Sequence, residues 1–158
     1  MSASASPFRM RRALLLGTAG WLAWPAWAAE STLPAPADLR RELAQARSKG
    51  RALVVMVSLH GCPYCKVVRE SHLLALRAEG QPVVQVELGG AQPVLDFEGR
   101  STSHRRLIAS WGIDVAPTVL FFGPGGREVA DRLVGAGIPD FYGAYLEERV
   151  QRANRASS

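Results

Sequence analysis

The spacing of apolar positions changes several times along the chain, and each change marks an element. Ala52 to Leu59 is an apolar run rich in Val, the pattern of a strand covered on both faces. Before it, Ala37 to Lys49 sets Leu39, Leu43 and Ala44 on one side of a helix, with Arg40, Arg41, Glu42 and Arg47 elsewhere. Asp38 near its start suits the helix dipole, and Gly50 is a stop signal. His60-Gly61-Cys62-Pro63 then interrupts the apolar run, and Cys65 to Ala78 returns to a helical period, with Val68, Leu73 and Leu76 apolar. Gln81 to Leu88 predicts a second strand, and Gly89 to Ser103 a long loop without periodicity. A short helix is expected over 104–111, ending near Gly112. Thr118–Phe122 and Glu128–Val134 flank Gly123-Pro124-Gly125-Gly126, a hairpin signature. A last helix is expected to begin at Pro139 and run through Tyr145, Leu146 and Val150, with 153–158 as a frayed tail. The element order predicts an α/β fold, a mixed central sheet with helices on both faces.

The front of the chain has a different character. Arg9, Arg11 and Arg12 precede an apolar stretch from Ala13 to Ala23, Pro25 breaks it, and Ala26-Trp27-Ala28 offers small residues where a signal peptidase reads. Residues 1–28 therefore read as a cleavable signal peptide, Sec or twin-arginine, and the expected site of action is the periplasm. The run is interrupted by Gly and Pro and falls short of the ~20 residues a membrane span needs. Residues 29–36 read as a tether, leaving 37–152 as the single folded domain.

That division changes the meaning of the charge. The whole chain carries 19 Lys plus Arg against 14 Asp plus Glu, a net of +5. Without the three leader arginines, 16 basic residues face 14 acidic ones, so no electrostatic footprint for nucleic acid remains. With 2 Cys in all, disulfide-rich scaffolds and four-cysteine metal sites are excluded.

The two cysteines stand together as Cys62-Pro63-Tyr64-Cys65, on the turn between a buried strand and a helix. At i and i+3 the thiols can close a small ring. Cys62 lies at the helix N-terminus, where free backbone N–H groups and the dipole favour a thiolate, so it is the expected nucleophile. Cys65, one turn in, would resolve the mixed disulfide, a reaction that needs no cofactor. A ring this small constrains little of the unfolded chain, which argues against a structural disulfide. Haem attachment needs His after the second Cys, where Lys66 stands. A metal reading stays open: a copper chaperone could use Cys62, Cys65 and His60, or recruit His72. Further along, Val115-Ala116-Pro117-Thr118 opens the Thr118–Phe122 strand; from sequence alone its proline would be an ordinary trans residue.

Together these features resemble the thioredoxin superfamily. The matching pieces are the strand into Gly61-Cys62-Pro63-Tyr64-Cys65, Trp111 to Thr118, the Phe121-Phe122 strand and Gly135. Pro-Tyr between the cysteines is similar to glutaredoxins and some periplasmic disulfide isomerases. The motif with Asp96-Phe97-Glu98-Gly99 also resembles exported thioredoxin-like proteins of bacterial sulfur oxidation and cytochrome maturation. The resemblance implies a thioredoxin-like fold, a cis Pro117 facing the cysteines, and pairing of the Ala116 backbone with an extended substrate. Pro63 and Tyr64 would form the rim met by protein clients, which exchange disulfides with Cys62 and Cys65, and a membrane electron donor or acceptor would recycle a monomeric enzyme. Two positions depart from the family: Gly61 replaces a Trp, and Met56 stands where a buried acid serves the resolving thiol. Proton transfer at Cys65 would then fall to water, Glu87 or His60, while His60 and Lys66 could tune the Cys62 thiolate.

Overall fold

A computed structural model describes Met1, residues 32–137 and residues 139–158. The expected signal peptide over 1–28 and the first part of the tether lie outside the described residues, Met1 apart. Helix α1 (Leu39–Arg47) opens on Asp38, whose carboxylate accepts the Arg41 N–H at 3.0 Å. This N-cap satisfies one of the free donors of the first turn. Leu39, Leu43 and Ala46 are buried along one helical stripe. Gly50, at φ +64°, turns the chain into β1 (Leu53–Ser58).

Every residue of β1 is buried, and alternate side chains feed two different cores. Val54 and Met56 face one with Cys65, Val68, Leu73 and Phe121; Leu53, Val55 and Val57 face the other with Leu39, Ile108 and Leu120. The strand neighbours are β2 (Val83–Glu87), parallel, and β5 (Thr118–Phe122), antiparallel; β6 (Glu128–Val134) pairs antiparallel with β5. The sheet order β2-β1-β5-β6 is the mixed sheet that the element order predicts. Helices α2 (Pro63–Val68), α3 (Leu74–Ala78) and α5 (Pro139–Ser157) serve the first core, α1 and α4 (His104–Ser110) the second. Among the described residues, no helix is long and apolar enough to cross a membrane.

Four expectations need correction. The stretch from Gly89 to Ser103 is not a plain loop: β3 (Pro93–Leu95) pairs antiparallel with β4 (Ser101–Ser103). Strands of three residues are too short to display a period. Their turn is built instead by Asp96, whose carboxylate accepts the N–H groups of Glu98 (2.9 Å) and Arg100 (2.8 Å) and the Arg100 guanidinium (2.8 Å). The helix expected over Cys65–Ala78 begins at Pro63 and carries a π-helical turn, Arg69–Leu73, between α2 and α3. That wider turn brings Val68 and Leu73, five residues apart, into one core. The tether does not hang free over its described part, since Leu33 is buried in the first core and the Pro34 carbonyl accepts the Gln85 N–H at 2.9 Å.

The tail is not frayed either. Helix α5 continues to Ser157, and Ala153 is fully buried. Asn154 Oδ1 accepts the Ala52 N–H at 2.9 Å, its Nδ2 donates to Gln81 Oε1 at 3.0 Å, and Gln81 Nε2 donates to the Ala52 carbonyl at 2.7 Å. This small amide network joins the last helix to the entrance of β1. Asn154→Ala leaves the buried Ala52 N–H without a partner and removes the amide donor to Gln81 Oε1, so it should lower the unfolding free energy by ~1–3 kcal/mol in a urea titration. A frayed tail would leave the midpoint where it was.

Candidate active site

The central strand ends abruptly at Ser58, and the chain turns through Leu59, His60 and Gly61. Gly61 sits at φ +73°, a left-handed backbone that a Trp side chain would strain, which accounts for the glycine at this departure from the family pattern. The turn closes with the Cys62 N–H donating to the Leu59 carbonyl at 3.1 Å. Cys62 is itself the N-cap of α2: its backbone is extended and its Sγ accepts the Cys65 N–H at 3.2 Å. Pro63 occupies the first helical position, where a missing N–H costs nothing and the fixed φ suits the helix.

The two thiols are free and sit in unlike surroundings. Cys62 is partly exposed, whereas Cys65 is only 1% exposed and belongs to the first core. Burial, the contact with Cys62 and repulsion from it push the Cys65 thiol up to about 11, while hydrogen bonds from the Leu59 backbone and the Ser58 side chain pull the other way. The Ala116–Pro117 bond is cis; Pro117 is buried, and Ala116 and Cys62 pack against the core that contains Cys65. The Pro117 carbonyl accepts the Gly135 N–H at 2.7 Å, which ties this turn to the end of β6.

Beside Cys62 opens a cleft of about 490 Å³, lined by Ser58, His60, Lys66, Arg69 and Glu87 among others. His60 and Lys66 thus share the cleft with Cys62. Pro63 also lines the cleft, whereas Tyr64, 65% exposed, is not among its lining residues. Met56 is fully buried in the first core, so an apolar thioether fills the position where the family keeps an acid. His72 is not part of this group. Its ring packs against Tyr142 at 5.2 Å, over Gly143 of α5, and burial holds its pKa down. Among the described residues, no three or more His, Cys, Asp and Glu side chains gather as a metal site.

Two polar residues escaped the sequence reading. Ser58 ends an otherwise apolar run and is 2% exposed, the one signal that could have drawn notice to it. His104 is fully buried, accepts the Glu87 N–H on Nδ1 at 3.2 Å, and has its pKa lowered by burial. Nothing in its local sequence marks it.

The raised Cys65 thiol has a measurable consequence. Unfolded, the thiol ionises at its ordinary 9.0; folded, it holds its proton to about 11. Between these values the unfolded state releases the proton first, so the reduced protein should lose stability as pH rises from 9.0 toward about 11. The Cys62–Cys65 disulfide form should lack this share of the decline and keep only that of the buried Tyr142 phenol, whose pKa burial also raises. Denaturant titrations of both redox forms across this range check it, and parallel curves would refute the burial assignment.

Known proteins agree with this geometry. The family model for the thioredoxin-like domain matches residues 39–149. The thiol:disulfide interchange protein DsbD 1 of Pseudomonas aeruginosa is 31% identical over 123 residues, which cover 77% of this chain but 19% of that protein. The chain therefore spans about a fifth of the length of that curated relative. Thioredoxin from Thermus thermophilus superposes with a TM-score of 0.50 at 25% identity, covering 77% of this chain and 86% of its own. Fasciola hepatica thioredoxin gives 0.50 at 21% identity, over 77% and 99% of the two chains, a likeness of fold. With a matching family model over most of its length, a cis-proline beside the strand–turn–helix cysteine pair and the expected mixed sheet, the chain belongs to the thioredoxin superfamily.

Proposed function

We propose that the chain is an exported thiol–disulfide oxidoreductase that reduces disulfides in protein clients. The observation that carries this reading is the split between the thiols: Cys62 caps α2 at the edge of a cleft, and Cys65 lies buried behind it with its N–H on the Cys62 sulfur at 3.2 Å. Cys62, as thiolate, attacks a client disulfide; the first client thiolate leaves and takes a proton. Cys65 then attacks Cys62 Sγ, the second client thiol departs, and the Cys62–Cys65 disulfide remains. The printed name of the Pseudomonas relative, a thiol:disulfide interchange protein, supports the same chemistry.

Client recognition falls to the rim. Tyr64, Val67, Leu59 and Val115 are exposed apolar side chains on the segments that carry or flank the thiols and the cis-proline. An extended client strand laid along Ala116 would place its cysteine before Cys62. The leader-like residues 1–28 support export to the periplasm, where a reductant needs a membrane electron donor to return it to the dithiol. The chain is read as a monomer.

Equilibration against defined dithiol/disulfide buffers should show one reversible two-electron couple near about −270 mV, the reducing end of the family range. A value near about −120 mV would make the protein a disulfide donor instead. Cys65→Ala should accumulate a mixed disulfide with a disulfide-bonded peptide, visible as an added mass, and Cys62→Ala should form none. Absence of any reversible couple sinks the oxidoreductase reading.

A further inference from the structure

The resolving thiol has to lose its proton inside a core, and the position from which the family supplies an acid is Met56, which can do nothing with a proton. Polar groups on the same face of the sheet lie one strand away. β1 and β2 run parallel in register, Met56 beside Gln85 and Ser58 beside Glu87, so these four side chains share the face that Val54 and Val83 turn toward the first core. Glu87 is anchored through one oxygen only: Oε1 accepts from Gln85 Nε2 at 2.6 Å, and Gln85 Oε1 accepts from the Arg69 guanidinium at 3.3 Å. The other oxygen, Oε2, is buried without a hydrogen-bond partner. Ser58 stands close enough to Cys65 to pull its thiol pKa down against burial, and it lines the same cleft as Glu87. At about 490 Å³ the cleft that both residues line has room for a water, which occupies roughly 30 Å³.

We propose that Ser58 and Glu87 form the proton path of the resolving step, with Glu87 Oε2 as the acceptor that the family elsewhere keeps on the central strand. The proposal rests on the oxidoreductase reading above. In the mixed disulfide, the Cys65 thiol passes its proton to the Ser58 hydroxyl as that hydroxyl gives its own, through water, to Glu87. The Cys65 thiolate forms the bond to Cys62 Sγ, the bond from Cys62 Sγ to the client sulfur breaks, and Glu87 returns the proton through the cleft to the departing thiolate. Two electrons pass from the dithiol to the client, and Glu87 ends as it began. The charged and titratable groups around the path are His60 from the turn after β1, Cys62 and Lys66 from α2, Arg69 from the π turn, and His104 of α4 against the Glu87 backbone. Arg69 holds Gln85, and through it Glu87, at the mouth of the cleft.

The test is stopped-flow reaction of the full chain with a fluorescent disulfide-bonded peptide, resolving Cys62 attack from release of the second thiol; Cys65→Ser supplies the first phase alone. Glu87→Gln and Ser58→Ala should each slow release relative to attack by about a hundredfold at neutral pH, the low end of what a positioned base contributes. Each should also move the pH profile of release upward. Loss of a negative charge beside the thiols would by itself favour thiolates and speed release, so slowing in Glu87→Gln points to the lost acceptor. Glu87→Asp and Ser58→Thr, which keep the carboxylate and the hydroxyl, should recover most of the rate. Release at the wild-type rate and pH profile in Glu87→Gln and Ser58→Ala overturns the path while leaving the oxidoreductase reading intact. Failure of the wild-type chain to form a mixed disulfide overturns both.

Discussion

Everything at the site depends on the burial of β1 on both faces. A strand of Leu, Val and Met, with no side chain turned to water, must be covered by helices above and below, and that requirement sorts its residues into two cores. It also makes the end of the strand decisive. Where the apolar run stops at Ser58, the backbone must turn, and the next residue able to start a helix is Cys62, with Pro63 behind it. Cys62 is thereby held as a helix cap at the end of the strand, while Cys65, one turn later, is carried into the core.

The chemistry follows from that placement. Two identical thiols three residues apart become unlike because one meets solvent and the other meets Val68, Met56 and Phe121. Burial disfavours the charged form of Cys65 and so favours its protonated thiol. The outer thiol shares a cleft with cations and one carboxylate, and the cis-proline turn at Ala116–Pro117 packs against the same core. Strand register then links β2 to the site, since Glu87 stands beside Ser58 only because β1 and β2 run parallel and in step.

The parts of the fold that were legible in the sequence carry a strong period or a strong signal. The β1 run, the Gly-Pro-Gly-Gly hairpin and the Pro139 helix start were read from residues, and the Cys-Pro-Tyr-Cys turn was placed between its strand and helix. Less legible were elements held by distant partners. The β3–β4 hairpin is three residues on each side and depends on the Asp96 turn. The π turn exists because Val68 and Leu73 answer to one core. Asn154 and Ser157 look like a polar tail until the amides of Gln81 and Ala52 are brought to them.

The sequence by itself determined where the two cysteines stand: three residues apart, on the turn between a buried strand and a helix, with Pro63 and Tyr64 between them. Those are local facts, encoded by neighbours within a few residues. Only the tertiary structure decided which groups surround them. It turned Pro117 to cis against the core that holds both thiols, carried His72 away toward Tyr142, and brought Ser58, Arg69 and Glu87 around one cleft. Such neighbours come from strand pairing and helix packing across long stretches of chain, and no residue pattern read in one dimension contains the register that sets them side by side.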